Sequence, residues 1–272
     1  MATIEQKHNL SDSHWYTRMG VPAYTIKKAK GGGERSTTLR DARKHNLLPS
    51  VTTIFNIMSK PGLDSWKLNK AIEAALSTQR DDGEPDDHYY KRIIERSRSE
   101  VSEAADLGTR IHDAIEASFP VGFTYVKQIP EDLEQYVNPT MDLLHDLSIE
   151  NPILEKVVVN HKEGYAGRAD LMGKVTGSNK SWNVVVDFKT RKTKKGVKIT
   201  PYDFQPMQLA AYAMAAFGTL DNCLASNLYI STTEPGRVEN VAYSEKKLKE
   251  EYDAFLHMNA MWRYLKKYDP RS

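Results

Sequence analysis

The chain has a single cysteine, Cys223, in 272 residues. One thiol excludes an intrachain disulfide framework and a four-cysteine zinc or iron–sulfur site. The fold therefore needs no oxidising compartment, and a cytoplasmic location is expected. No run of 18 apolar residues occurs, so no membrane span is expected. The opening residues MATIEQKHNL lack an apolar h-region, so no secretory signal is expected there. No G-x-x-x-x-G-K-[ST] occurs, and the GGG at 31–33 has no lysine after it. A P-loop and a nucleotide cofactor are not expected. Excess charge is also scarce: 38 Lys and Arg against 36 Asp and Glu leave +2. A nucleic-acid partner would have to be met by local clusters, not by bulk charge.

What is present is an ordinary globular composition, 40% hydrophobic, long enough to bury a core without staples. Residues 14–27 (HWYTRMGVPAYTIK) read as an aromatic hairpin turning near Met19-Gly20, followed by a glycine loop at 31–33. Ser50 is placed to cap a short helix, Pro61-Gly62 to break it, and Asp64 to cap the next. Residues 88–118 carry apolar side chains at helical spacing: Ile93, Ile94, Val101, Ala105, Leu107, Ile111 and Ile115. Pro120 follows. Residues 131–147 read as a helix bent or broken before Pro139.

The period then changes to two. PILEKVVVN, YAGRADLMGKV and WNVVVDFKT read as strands, with TGSNKS turning between the last two. A basic loop follows, then a helix near 203–217, strands SNLYIS and VENVAY, and a helix near 244–267. The expected fold is α/β (α+β): a central mixed sheet with flanking helices and an N-terminal helical extension. Residues 1–87 are expected to pack as that extension on a core of 88–272, in one continuous domain.

The hairpin carries charges that need a reason. The turn is centred between Ser178 and Asn179, so symmetric pairing sets Asp170 opposite Asp187. Such partners have Cβ atoms about 4.5–5.5 Å apart, where two carboxylates repel. A divalent cation between them removes the conflict, and Mg²⁺ or Mn²⁺ suits oxygen ligands. Lys189 points to the same side as Asp187. An ammonium there can orient a water or neutralise a phosphorane-like transition state. The plain alternative is a solvated face with accidental charges.

Other residues bear on that choice. Glu155, on the preceding strand, is a further candidate ligand or water-positioning group, or a surface ion pair. Gly108 and His112 share a helix face, and a neutral imidazole can ligate metal. Gln208 and Tyr212 are again four apart and can hydrogen-bond a phosphate; otherwise they are the polar edge of a core helix. Arg191, Lys192, Lys194 and Lys195 lie in a loop able to follow a nucleic-acid backbone, or in an ordinary solvated one.

In chain order these motifs are Gly108…His112, Glu155, Gly167-Arg-Ala-Asp170, Asp187-Phe-Lys189 and Gln208…Tyr212, over about 105 residues. The set resembles the PD-(D/E)XK nuclease superfamily, in its RecB-like branch. The N-terminal segments HWYTRMGVPAYTIKKAK and PSVTTIFNIMSKPGLDSW extend the likeness to the mitochondrial genome maintenance exonuclease group and its phage relatives. One departure is Ala169, where the family often has proline. The resemblance implies a restriction-endonuclease-like core and a Mg²⁺- or Mn²⁺-dependent deoxyribonuclease, phage-encoded and acting in the host cytoplasm. It implies His112, Asp170, Asp187 and the carbonyl of Phe188 as metal ligands and Lys189 as the catalytic lysine. Glu155 would assist metal or water, and Gln208 and Tyr212 would orient Lys189 or hold the scissile phosphate. It also implies an exonuclease favouring single-stranded DNA with a free end, threaded past the helices of 50–118. A structure-specific or flap endonuclease of the same fold, and a silent DNA-binding module, are the competing readings.

Overall fold

The aromatic stretch at 14–27 turns at Met19-Gly20 as a short hairpin, Tyr16 bridging Pro22 antiparallel and Ala23 N–H donating to the Trp15 carbonyl at 2.8 Å. The computed structural model describes residues 13–28, 31–119, 128–202 and 204–271. The opening ten residues, Pro120 and residue 203 lie outside these. Thr17 N–H donates to the Val21 carbonyl at 2.8 Å, and Gly20 takes the positive φ of 76° that this turn needs. β1 (Trp15–Tyr16) pairs antiparallel with a later strand, while β2 (Thr25–Lys27) pairs with β3 (Glu34–Ser36) across the glycine loop. α1 (Leu39–His45), unforeseen in the sequence, is closed by a capping box of Thr38 and Asp41 and ends on Asn46 at φ 50°. β4 (Leu48–Pro49) is the partner of β1. Burial explains this pairing: Trp15 and Leu48 are both in the core.

Ser50 caps α2 (Val51–Phe55), its hydroxyl accepting from Thr53 N–H at 2.9 Å as expected. Pro61-Gly62, by contrast, opens a helix instead of breaking one. α3 (Pro61–Ser77) starts on Pro61, whose missing N–H costs nothing in a first turn; Asp64 lies inside that turn and is not the cap. α4 spans Asp86–Ala117, with Ile111 and Ile115 buried and Ile94 exposed. α5 (Glu131–Asp146) runs through Pro139 without a break. The chain forms two compact units, Met1–Ile57 with Asp142–Ser272, and Met58–Met141. The boundary expected after residue 87 falls inside the second unit. There α3 packs on α4. Tyr89 and Arg96 of α4 donate to the carbonyls of Thr78 and Ser77 at the end of α3.

The first unit is built on five strands: β5 (Glu150–Asn160), β6 (Tyr165–Thr176), β7 (Ser181–Arg191), β8 (Cys223–Ser231) and β9 (Val238–Tyr243), hydrogen-bonded in that order. All neighbours are antiparallel except β7 and β8, which are parallel. Parallel strands need a crossover, supplied by α6 (Phe204–Phe217). α7 (Glu245–Lys266) packs on α6. One core joins Trp15, Ile54 and Phe55 to Tyr165, Val185, Leu209, Phe255 and Trp262. The fold is a mixed α/β arrangement, a central mixed sheet with flanking helices. Among the described residues no helix is long and apolar enough to cross a membrane.

Candidate active site

The β6–β7 hairpin has the expected register. Thr176 pairs with Ser181 and Leu171 with Val186; the ladder ends there, one step short of Asp170 and Asp187 in the same register. On the other side Leu154 pairs with Leu171 and Lys156 with Ala169, which sets Glu155 across from Asp170. On the far side Asp187 pairs with Asn227 of β8. Four polar side chains thus occupy one row across four strands.

The sheet is irregular at this row. Glu155 has φ 49°, a left-handed value rare for a residue with a Cβ. The core takes Tyr165 and Ala169 before Asp170 but Met172 after it, so strict alternation is broken there. Asp170 Oδ2 accepts the Phe188 N–H at 2.7 Å. A carboxylate replaces a ladder carbonyl where the two strands part. Such breaks re-aim side chains at functional sites.

Asp187 is 2% exposed, yet it is an ion-pair partner. Its Oδ1 accepts from Lys189 Nζ at 2.7 Å and its Oδ2 from Asn227 Nδ2 at 2.7 Å. Burial by itself would lower the Lys189 pKa. The charges of Asp187 and Asp170 and the hydrogen bond to Asp187 outweigh it, and the pKa is raised. Lys189 is therefore an ammonium.

α6 covers the row from one side. Gln208 Nε2 donates to the Tyr212 hydroxyl at 2.9 Å. Burial, then the charges of Asp187 and Asp170, push the Tyr212 pKa far up, so its proton stays on. The Tyr212 ring lies against Gly167 of β6. The glycine three residues before Asp170 thus has a packing reason: no Cβ fits beneath that ring.

Glu155 is bridged by Arg168, Nε to Oε2 at 2.6 Å, and the Arg168 side chain is half exposed. Lys192, Lys194 and Lys195 are exposed, in a loop tied down by Arg237, which donates to the carbonyls of Lys194 and Val197. Arg191 is engaged by the protein. It donates to the Thr200 carbonyl at 3.0 Å and sits 5.3 Å from the Tyr202 ring centre. His112 lies on α4, in the other unit.

Asp170, Asp187, Phe188, Lys189, Gln208 and Tyr212 are thus gathered in one unit, with Glu155 in the same row. Sequence reasoning missed Asn227, Arg168 and a second buried pair, Tyr229 O–H on Gln205 Oε1 at 2.5 Å. The available signal was polarity: Asn227 is the one amide in the buried strand CLASNLYIS.

Among the described residues no group of three or more His, Cys, Asp and Glu side chains is gathered as for a metal ion. The donor set fits Mg²⁺ or Mn²⁺ on other grounds. Such ions are commonly held by one or two carboxylates, with phosphate oxygens and water completing the shell. Asp170 and Asp187 are two carboxylates brought together where Asp170 accepts the Phe188 N–H.

No family model matches the chain, and no curated protein matches it. Solved structures that resemble it include that of SSO0001, 17% identical, covering 72% of this chain and 85% of the other, with a TM-score of 0.30. Another is the protein named "Putative exonuclease" from Eubacterium rectale, 14% identical, covering 77% and 86%, with a TM-score of 0.39. Likenesses this distant leave the chemistry to be argued from the residues themselves.

Proposed function

We propose that the chain is a Mg²⁺- or Mn²⁺-dependent deoxyribonuclease that hydrolyses DNA from a free end and favours single strands. One observation carries the reading: the buried carboxylate of Asp187, ion-paired with the part-exposed Lys189, adjoins the Phe188 N–H that a second carboxylate, Asp170, accepts. A buried ion pair adds little to stability, because desolvation offsets its attraction. Two carboxylates with a lysine are therefore a poor structural device and a good phosphodiester site. The order of the five short motifs supports the same class.

Asp170, Asp187 and the Phe188 carbonyl would hold the cation. When bound, the cation polarises a phosphate oxygen and acidifies a water. The side chains then have distinct tasks. Lys189, as an ammonium, donates to the phosphate where negative charge develops. Asn227 and Lys189 fix the two oxygens of Asp187. Tyr212 accepts from Gln208 and keeps its own O–H as a donor toward the phosphate. Glu155, held by Arg168, would assist at the cation site. Lys192, Lys194 and Lys195 guide the strand by its phosphates.

End-labelled linear single strands, linear duplex and closed-circular single strands, each with Mg²⁺, Mn²⁺ or EDTA, test this. Metal-dependent loss of linear substrate alone is expected. Cutting of circles moves the assignment to an endonuclease of the same site. DNA binding without cleavage under any metal overturns the hydrolytic reading.

A further inference from the structure

We infer that Asn227 and Tyr243 are positioning residues that set the carboxylate of Asp187 for the cation; this rests on the metal-site reading above. Asn227 is fully buried in the middle of β8. Its two amide ends are spoken for in opposite senses. Nδ2 donates to Asp187 Oδ2 at 2.7 Å, and Oδ1 accepts from the Tyr243 hydroxyl at 2.9 Å. The carboxylate, which can only accept, decides the orientation of the amide. Were the amide flipped, its carbonyl would face a carboxylate, two acceptors with no proton between them. Tyr243 O–H donates to the carbonyl at the other end and anchors the amide in the orientation the carboxylate selects.

Asp187 cannot gain this support from water, because it is buried. Lys189 fixes one oxygen and Asn227 the other, so the carboxylate plane is set from both sides. Groups that hold a ligand carboxylate in place tune metal affinity, and their loss commonly costs about 10–100-fold. Neither Asn227 nor Tyr243 belongs to the short motifs that mark the site. They reach it only through the β7–β8 and β8–β9 pairings, Asp187 with Asn227 and Ala225 with Tyr243.

The test is calorimetric titration of Mn²⁺ into the DNA-free protein, with DNA affinity measured separately in EDTA. Asn227→Leu, of similar size, is expected to weaken Mn²⁺ binding at least about 10-fold while DNA affinity in EDTA is unchanged. Tyr243→Phe keeps the ring and is expected to weaken Mn²⁺ binding less, in the same direction. The double variant is expected to be no weaker than Asn227→Leu, because the phenol acts through the amide. Wild-type Mn²⁺ affinity in both single variants overturns the inference. If Asn227→Leu does not fold, wild-type affinity in Tyr243→Phe overturns it alone. Absence of Mn²⁺ binding by the wild type overturns the metal-site reading itself, and this inference with it.

Discussion

A Cβ built on Gly167 would stand 2.2 Å from Cε1 of Tyr212. No real pair of carbons sits so close, and Tyr212 is itself buried, so the ring has nowhere to yield. Gly167→Ala is expected to cost about 1–3 kcal/mol by overpacking. It should also displace the hydroxyl that Gln208 holds and lower activity. Denaturant unfolding checks the first expectation. In a Tyr212→Ala background the added methyl should cost little further. An equal cost in both backgrounds would detach the glycine from the tyrosine.

Glu155 and Arg168 form a partly exposed pair, and such pairs contribute about 0–1 kcal/mol. Glu155→Gln should therefore leave the melting temperature almost unmoved. If Glu155 serves the cation or its water, the cleavage rate falls all the same. A normal rate would leave Glu155 as an ordinary cross-strand ion pair.

Asp41 gives a pH dependence with a definite sign. Arg35 meets it with two hydrogen bonds, at 2.7 and 2.9 Å, and Thr38 adds its hydroxyl and N–H. Arg35 first, then Thr38, hold its pKa well below the usual carboxylate range. A depressed folded pKa contributes stability above the unfolded value of about 3.9 and loses it as pH falls toward the folded one. Asp41→Asn should lower the melting temperature at pH 7, and the gap to wild type should narrow below about pH 4. A gap that persists unchanged into acid would mean the carboxylate charge is not what closes α1.

Lys192, Lys194 and Lys195 are exposed and unlike Arg191 carry no evident packing duty. Replacing all three by glutamine should weaken DNA binding and flatten its salt dependence. Each lost phosphate contact removes about 0.7 from the log–log slope for a single strand. An unchanged slope returns the loop to plain surface.

Much of this was legible in sequence where local rules dominate. The β6–β7 register follows from the short turn at Ser178-Asn179 and a period of two, and it brings Asp170 and Asp187 one step past the last ladder pair. Ser50 capped its helix because capping is a short-range hydrogen bond. The failures are nonlocal. Trp15-Tyr16 keeps its local partner at Pro22-Ala23 and adds Leu48-Pro49 on its other edge, a distant pairing that no local rule names. Pro139 sits inside an unbroken helix, and tertiary packing can hold a proline that propensity disfavours. Asn227 is 40 residues from Asp187, and only the parallel pairing of β7 with β8 brings it there. Gly167 reads as a motif letter in sequence; its cause is the ring of Tyr212 from another element.

The most direct measurement compares wild type with Lys189→Ala on linear single-stranded DNA in Mg²⁺ or Mn²⁺, with binding measured on the same substrate. Removing one charge-stabilising donor commonly costs about 10²–10³-fold in rate. The account predicts at least that loss of cleavage with DNA and metal binding retained. Cleavage at the wild-type rate by Lys189→Ala would contradict it.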